Sequence, residues 1–219
     1  MSRNHLLVCL LASAVLVTGC ATSRSEVKLG DSGTATYAVT KSKVVLIGSV
    51  TDERVFEQDP NEPGTPSLGG EGATLASADT KARAIGRKRG GFGKALGDVL
   101  LENGQTVAGV VRENLTNALK QAGYRTTSNA AEAGPDPVII DVRIKQFWAW
   151  LQPGFWAITL HTDIATNLEI SGKATPATVE VHAQDSRQVV TDSAWIEIVD
   201  QALKDYRQQA AAKSAVLPQ

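Results

Sequence analysis

The chain has 219 residues, 42% apolar and 21% charged, enough for one sizeable core and too little charge for a wholly disordered protein. Lysine plus arginine number 22 against 23 acids, a net charge of −1, which excludes a general nucleic-acid coat. Of four tryptophans, three (Trp148, Trp150 and Trp156) fall close together in the second half of the chain.

Arg3 precedes the uncharged stretch Leu6 to Val17. At 1.5 Å per residue that stretch reaches roughly 18 Å, too short for a hydrocarbon core of about 30 Å. A short apolar stretch behind a basic tip reads as a secretory signal over residues 1–19. It ends in Val17-Thr18-Gly19-Cys20, which resembles the lipobox of bacterial lipoproteins. The resemblance implies cleavage before Cys20 and acylation of that residue; the other reading is an ordinary signal with an incidental cysteine. Cys9 lies inside the signal, so the mature chain is expected to have no disulfide and no thiolate metal site. Three acyl chains hold far more firmly than one. Ala21 after the cysteine, rather than aspartate, implies by the same resemblance outer-membrane sorting on the periplasmic face.

Residues 20–43 are polar and read as a flexible tether, ahead of one domain over 44–207. Val44 to Asp52 is a β-branched run predicted as the first strand, buried on both faces at its start. Residues 56–103 are expected to be a long glycine-rich basic loop, because Pro60, Pro63, Pro66 and Gly69, Gly70, Gly72 leave no periodicity. Gln105 to Ala122 is a helix by its three- and four-residue spacing, with Gly123 at a left-handed cap. Val138 to Trp150 and Trp156 to Ile170 alternate as a long hairpin turning at Pro153-Gly154, and Ala177 to Ala183 is a third strand after it. Asp192 or Ser193 caps a last helix, and residues 208–219 are expected to fray. The order gives an α+β domain: a mixed sheet of about four strands in β-α-β-β-β-α order, with two helices packed on it.

Three groups of residues are candidates for function. Lys81 to Gly97 holds six basic residues and no acid. Gly93-Lys94 fits neither a phosphate-binding Walker loop nor a dinucleotide fingerprint, so nucleotide chemistry is not expected. The segment is either a solvated loop or a docking loop whose Arg83, Arg87, Lys88, Arg89 and Lys94 meet an anion or an acidic partner. Phe147, Trp148, Trp150, Phe155 and Trp156 cluster at the hairpin, with Trp148, Trp150 and Trp156 as the interface candidates. Neighbours such as Phe147 and Trp148 point to opposite faces, so one aromatic set lies off the main core. The long loop, a second subunit or a partner is expected to cover it. Finally, His161 and Asp163 share a strand face as a base and its orienter would, but a solvated pair is the plainer reading and no nucleophile motif accompanies them. No catalytic residue, metal or cofactor is expected.

The lipobox, the strand VVLIGSVTDER, the run GKALGDVLLENG, the helix closing at Leu119-Lys120-Gln121-Ala122-Gly123-Tyr124 and the final helix together resemble the YajG-type family of bacterial lipoproteins, over most of residues 20–207. That family has no assigned activity, so the resemblance supplies no catalytic residue. It implies a lipid-anchored, non-enzymatic envelope protein with a structural, assembly or protein-interaction role. The expected partner is another envelope protein or a second copy, with no nucleic acid. The alternative is a binding module for lipopolysaccharide or peptidoglycan through the basic glycine loop.

Overall fold

The computed structural model describes residues 24–30, 36–70, 72–90 and 95–217; the signal, Cys20 and Lys94 lie outside the described residues. In chain order the elements are β1 (Ser25–Val27), β2 (Val44–Asp52), α1 (Gly72–Leu75), α2 (Ala78–Arg83), β3 (Ala84–Arg89) and β4 (Ala95–Leu101). There follow α3 (Val107–Gln121), β5 (Arg125–Thr127), β6 (Val138–Pro153), β7 (Ile158–Ile170), β8 (Ala177–Arg187) and α4 (Asp192–Lys213).

The fold is α+β with one mixed sheet, but the sheet has eight strands rather than about four. Its order is β1-β4-β3-β6-β2-β5, with β7 and β8 continuing from the other edge of β6. β2 and β6 run parallel, and the expected hairpin and third strand, β6, β7 and β8, form an antiparallel meander. The additional strands come from segments expected to be irregular. β1 falls inside the expected tether and pairs with β4, burying Val27 and Leu29. β3 and β4 form a hairpin within the expected long loop. The expected frayed tail is also ordered: α4 runs to Lys213, and Ala210 and Leu217 are buried.

Local chemistry explains these elements. Thr106 caps α3 by accepting from Gly109 N–H, and Gly123 closes it at φ +90°. α3 and α4 join one core through Val111, Leu115, Leu119, Ile198, Val199 and Leu203, packed on the same sheet face. A partly buried hydrogen bond from Arg207 Nη1 to Asn114 Oδ1, 2.6 Å, ties the two helices together.

β6 borders two different strands on one edge. β2 pairs along Val138 to Ile144, and β3 meets β6 further on at Ala149. The buried Arg54 bridges the fork between them. Its guanidinium donates to Ala84 O (2.6 Å), Phe147 O (2.9 Å) and Lys81 O (2.8 Å) and pairs with Asp52 (2.7 Å). Glu53 turns the other way, to Arg143 and Lys145.

A register shift between Ile144 and Gln146 bulges β6 and exchanges its faces. Ile140, Val142 and Ile144 face the helices before it, and Phe147 and Ala149 face them after it. Trp148 and Trp150 therefore point to the opposite face, where Phe56, Leu68, Ala76, Ala84 and Leu100 close a second, smaller core.

Candidate functional site

The basic segment is not a solvated loop. Arg83 is buried, donating to Leu101 O at 2.8 Å and pairing with Asp79 and Glu26. Arg87 is buried beside Asp98, which accepts from Gly69 N–H at 2.8 Å and from Arg24 at 3.2 Å. Arg89 donates to Ser67 Oγ at 3.1 Å; burial, and then its neighbour Arg87, hold its guanidinium below its ordinary value. The docking loop is thus corrected for Arg83 and Arg87, which are buried; Arg89 is half-buried, bonded to Ser67 in the proline- and glycine-rich segment, and lines a cavity at one end of the sheet. Lys88, on the other face of β3, reaches Ser25 Oγ and Asp192.

The aromatic candidates divide in the same way. Trp148 is fully buried, edge-on to Phe56 at 6.0 Å, with its indole N–H donating to Pro63 O at 3.3 Å. Gln146 donates to Gly64 O at 2.8 Å, and a side chain at Gly64 would lie 3.4 Å from the Trp150 ring. Of the three covers open to the off-core aromatics, the long loop is the one that lies over Trp148. Only the hairpin tip stays out, with Phe155 89% and Trp156 84% exposed and their rings edge-on at 4.8 Å.

His161 and Asp163 do not pair with each other. Asp163 Oδ1 lies 2.6 Å from His182 Nδ1, and His182 Nε2 lies 3.4 Å from His161 Nδ1. Trp150 stacks on His161 at 5.1 Å, and His161 Nε2 is buried with no hydrogen-bond partner. Burial, then His182, keep the His161 imidazole below its ordinary value against the opposing pull of Asp163. Among the described residues no group of three or more His, Cys, Asp or Glu is placed to hold a metal ion.

A cavity of about 810 Å³ opens at one end of the sheet. Leu151, Pro153, Ile158, Val190 and Trp195 form its apolar wall, with Arg24, Glu26, Lys88, Arg89 and Asp192 on its rim. The pairings explain why so many segments meet there. β1 runs parallel to the last residues of β4, with Ser25 opposite Val99, so its N-terminal end points toward the beginning of β4 and the end of β3, where Lys88 reaches Ser25 Oγ. β3 runs parallel to β6 toward the hairpin tip, and Ile158 pairs with Arg187 just before α4 begins. Ser25 Oγ donates to Asp192 Oδ1 at 2.8 Å and joins β1 to the start of α4.

No protein-family model and no curated protein matches this sequence. Among solved structures, an uncharacterised protein aligns over 90% of this chain and 99% of its own, at 10% identity and a TM-score of 0.43. A Xanthomonas campestris protein of family DUF330 aligns over 87% of this chain and 91% of its own, at 8% identity and a TM-score of 0.46. A protein of Caulobacter crescentus CB15, described as a candidate lipoprotein, aligns over 48% and 75%, at 13% identity and a TM-score of 0.23. Likenesses this distant assign neither a family nor a role, and none of the three carries a YajG-type description.

Sequence reasoning named neither this cavity nor Arg54. The cavity is assembled from β1, the β3–β4 hairpin, the β6–β7 hairpin and the start of α4, none distinctive alone. Arg54 carried a faint signal, a lone arginine directly after a buried strand and two acids.

Proposed function

We propose that the chain is a lipid-anchored envelope protein, held in the outer membrane through Cys20 and facing the periplasm. In this reading it works by binding an envelope protein rather than by catalysis. The observation that carries the reading is the lipobox-like Val17-Thr18-Gly19-Cys20 placed four residues ahead of Arg24, which is already part of the folded rim of the cavity. An anchor so close to the fold sets the cavity at the membrane-proximal end. Its apolar wall and mixed-charge rim suit an amphipathic segment of a protein partner better than a polyanionic glycan. No helix of the described residues is long and apolar enough to cross a membrane. What supports the non-enzymatic reading is the state of the histidines. Each ring nitrogen of His161 and His182 is either bonded within the Asp163–His182–His161 chain or, as with His161 Nε2, buried.

Two measurements test it. Cells grown on labelled palmitate should incorporate label into the wild type and not into Cys20→Ala; label in neither would overturn the anchor. A photo-reactive residue at Leu151 should capture one envelope protein in membranes, while the same group at Ile139, exposed at the opposite end of β6, should not. Equal capture from both positions would overturn the cavity as the contact.

A further inference from the structure

The turn between β6 and β7 carries two large aromatic residues that no part of the fold uses. Phe155 and Trp156 are 89% and 84% exposed, whereas Trp148 and Trp195 are fully buried. Gly154 N–H donates to Ala157 O at 2.8 Å and closes the turn tightly, so the two rings stand on a short, rigid tip rather than a loose loop. A side chain at Gly154 would come within 2.8 Å of Ala157 O, which reserves the position for glycine. Val189, 70% exposed, lies at the same end, two residues beyond the Arg187 that pairs with Ile158.

The chain itself indicates what meets this tip. Pro153 and Ile158, which flank it, line the same cavity as Arg24. Arg24 is the fourth residue after Cys20, a reach of at most about 14 Å at full extension. An acylated Cys20 sits at the bilayer surface, so the end of the domain that carries Arg24 and the tip is held against that surface. Exposed tryptophan beside phenylalanine suits the boundary between headgroups and acyl chains, where an apolar ring body and a polar N–H are both satisfied. The surrounding charges are mixed: Arg24, Lys88, Arg89 and Arg187 face Glu26, Asp185, Asp192 and Glu197. Charge attraction to anionic headgroups is therefore not the driving term.

We propose that Phe155 and Trp156 insert into the periplasmic leaflet of the bilayer that anchors Cys20, forming a second, non-covalent attachment. With the acyl chains alone the domain would pivot on its short tether. With the tip inserted, the sheet stands at a fixed angle and the cavity opens at a fixed height above the membrane. This rests on the anchoring reading above, extends it to the orientation of the domain, and commits to lipid rather than to a second copy or a protein as the occupant of the tip.

The test uses full-length protein purified from membranes and returned to phosphatidylethanolamine–phosphatidylglycerol vesicles whose acyl chains do or do not carry bromine, a short-range quencher of tryptophan. Trp156 is one of four tryptophans, and the expected loss of emission in brominated vesicles is about a quarter. Trp156→Ser should abolish that loss, and Phe155→Ser should reduce it. Raising the salt concentration should leave it unchanged, as expected for apolar insertion. Quenching that reports Trp156 supports the proposal whether or not Cys20 proves to be acylated. An acylated protein whose emission is the same in both vesicles overturns the tip while the anchor stands. An unacylated protein with no quenching overturns both. Trp156 emission shifted to the blue in lipid-free detergent and insensitive to bromine would assign the tip to a second copy, and would also overturn the proposal. Both residues are exposed, so the serine variants retain the fold, and unchanged circular dichroism checks this.

Discussion

Arg54 is the residue on which the layout of the sheet most depends. Three backbone carbonyls from α2, β3 and β6 and the Asp52 carboxylate converge on one buried guanidinium. Planar, multiply donating geometry is what arginine supplies and lysine does not. Arg54→Ala leaves those acceptors buried without a donor and should cost about 3–5 kcal/mol, read as a lowered urea midpoint. Arg54→Lys should recover only part of that loss. Gly86 is the matching case for packing. A side chain there would lie 2.7 Å from Ala149 O and 3.1 Å from the Trp195 ring, at the one point where β3 meets β6. Gly86→Ala should therefore destabilise by about 1–3 kcal/mol. Neither role can be read from residue type alone, since arginine and glycine within a basic, glycine-rich sequence look like a solvated loop.

At the scale of elements, the contrast lies between what seems dispensable and what is. β3 occupies Ala84–Arg89 and β4 starts at Ala95, and Ile85 and Arg87 are buried. Removing residues 81–97 should unfold the domain, seen as loss of the cooperative thermal transition, whereas replacing Phe155 and Trp156 by serine should leave the transition where it is. Strand character in β3 is hidden because its register shifts twice against β4, between Ala84 and Gly86 and between Lys88 and Arg89. A period of two survives no such shifts. It is hidden too because its polar side chains are covered: Arg87 is buried, and Arg89 half-buried and bonded to Ser67, so polarity no longer marks the exposed face. The clear elements, α3, β7 and β6 as far as Ile144, have one face on a single core and the other more exposed, which is the condition under which periodicity is readable.

At the scale of the whole molecule, mild acid should weaken the fold. Burial, then His182, lower the His161 value in the folded chain, so the unfolded chain binds a proton that the folded one resists. Stability is complete above the ordinary histidine value of about 6.5 and falls as the pH drops from there toward the lowered folded value. Urea midpoints across that window should decline, and His161→Gln should flatten the decline. A second loss follows only in stronger acid. Lys145 and Arg143 hold Glu53 below its ordinary value, Ser49 does the same for Asp141, and protonating these carboxylates removes what they contribute. In the other direction burial raises the Tyr206 hydroxyl to about 12, so it stays protonated beside Thr166 throughout.

The sequence by itself determined the features that depend on near neighbours in the chain: the short apolar stretch ending at Cys20, the amphipathic α3 with its Gly123 cap, the hairpin and the class of fold. Hydrophobic spacing, capping and turn formation act over a few residues, so they can be read without the fold. Only the tertiary structure decided which cations face solvent, because burial of Arg83 and Arg87 depends on a covering segment and on acids or carbonyls far along the chain. It alone separated Trp148 from Trp156, since one bulge at Lys145 sets which face each aromatic takes and the length of β6 sets which lie beyond the sheet. It alone brought Arg24, the hairpin tip and the start of α4 to one end, because parallel and antiparallel pairings, not sequence distance, decide which turns become neighbours.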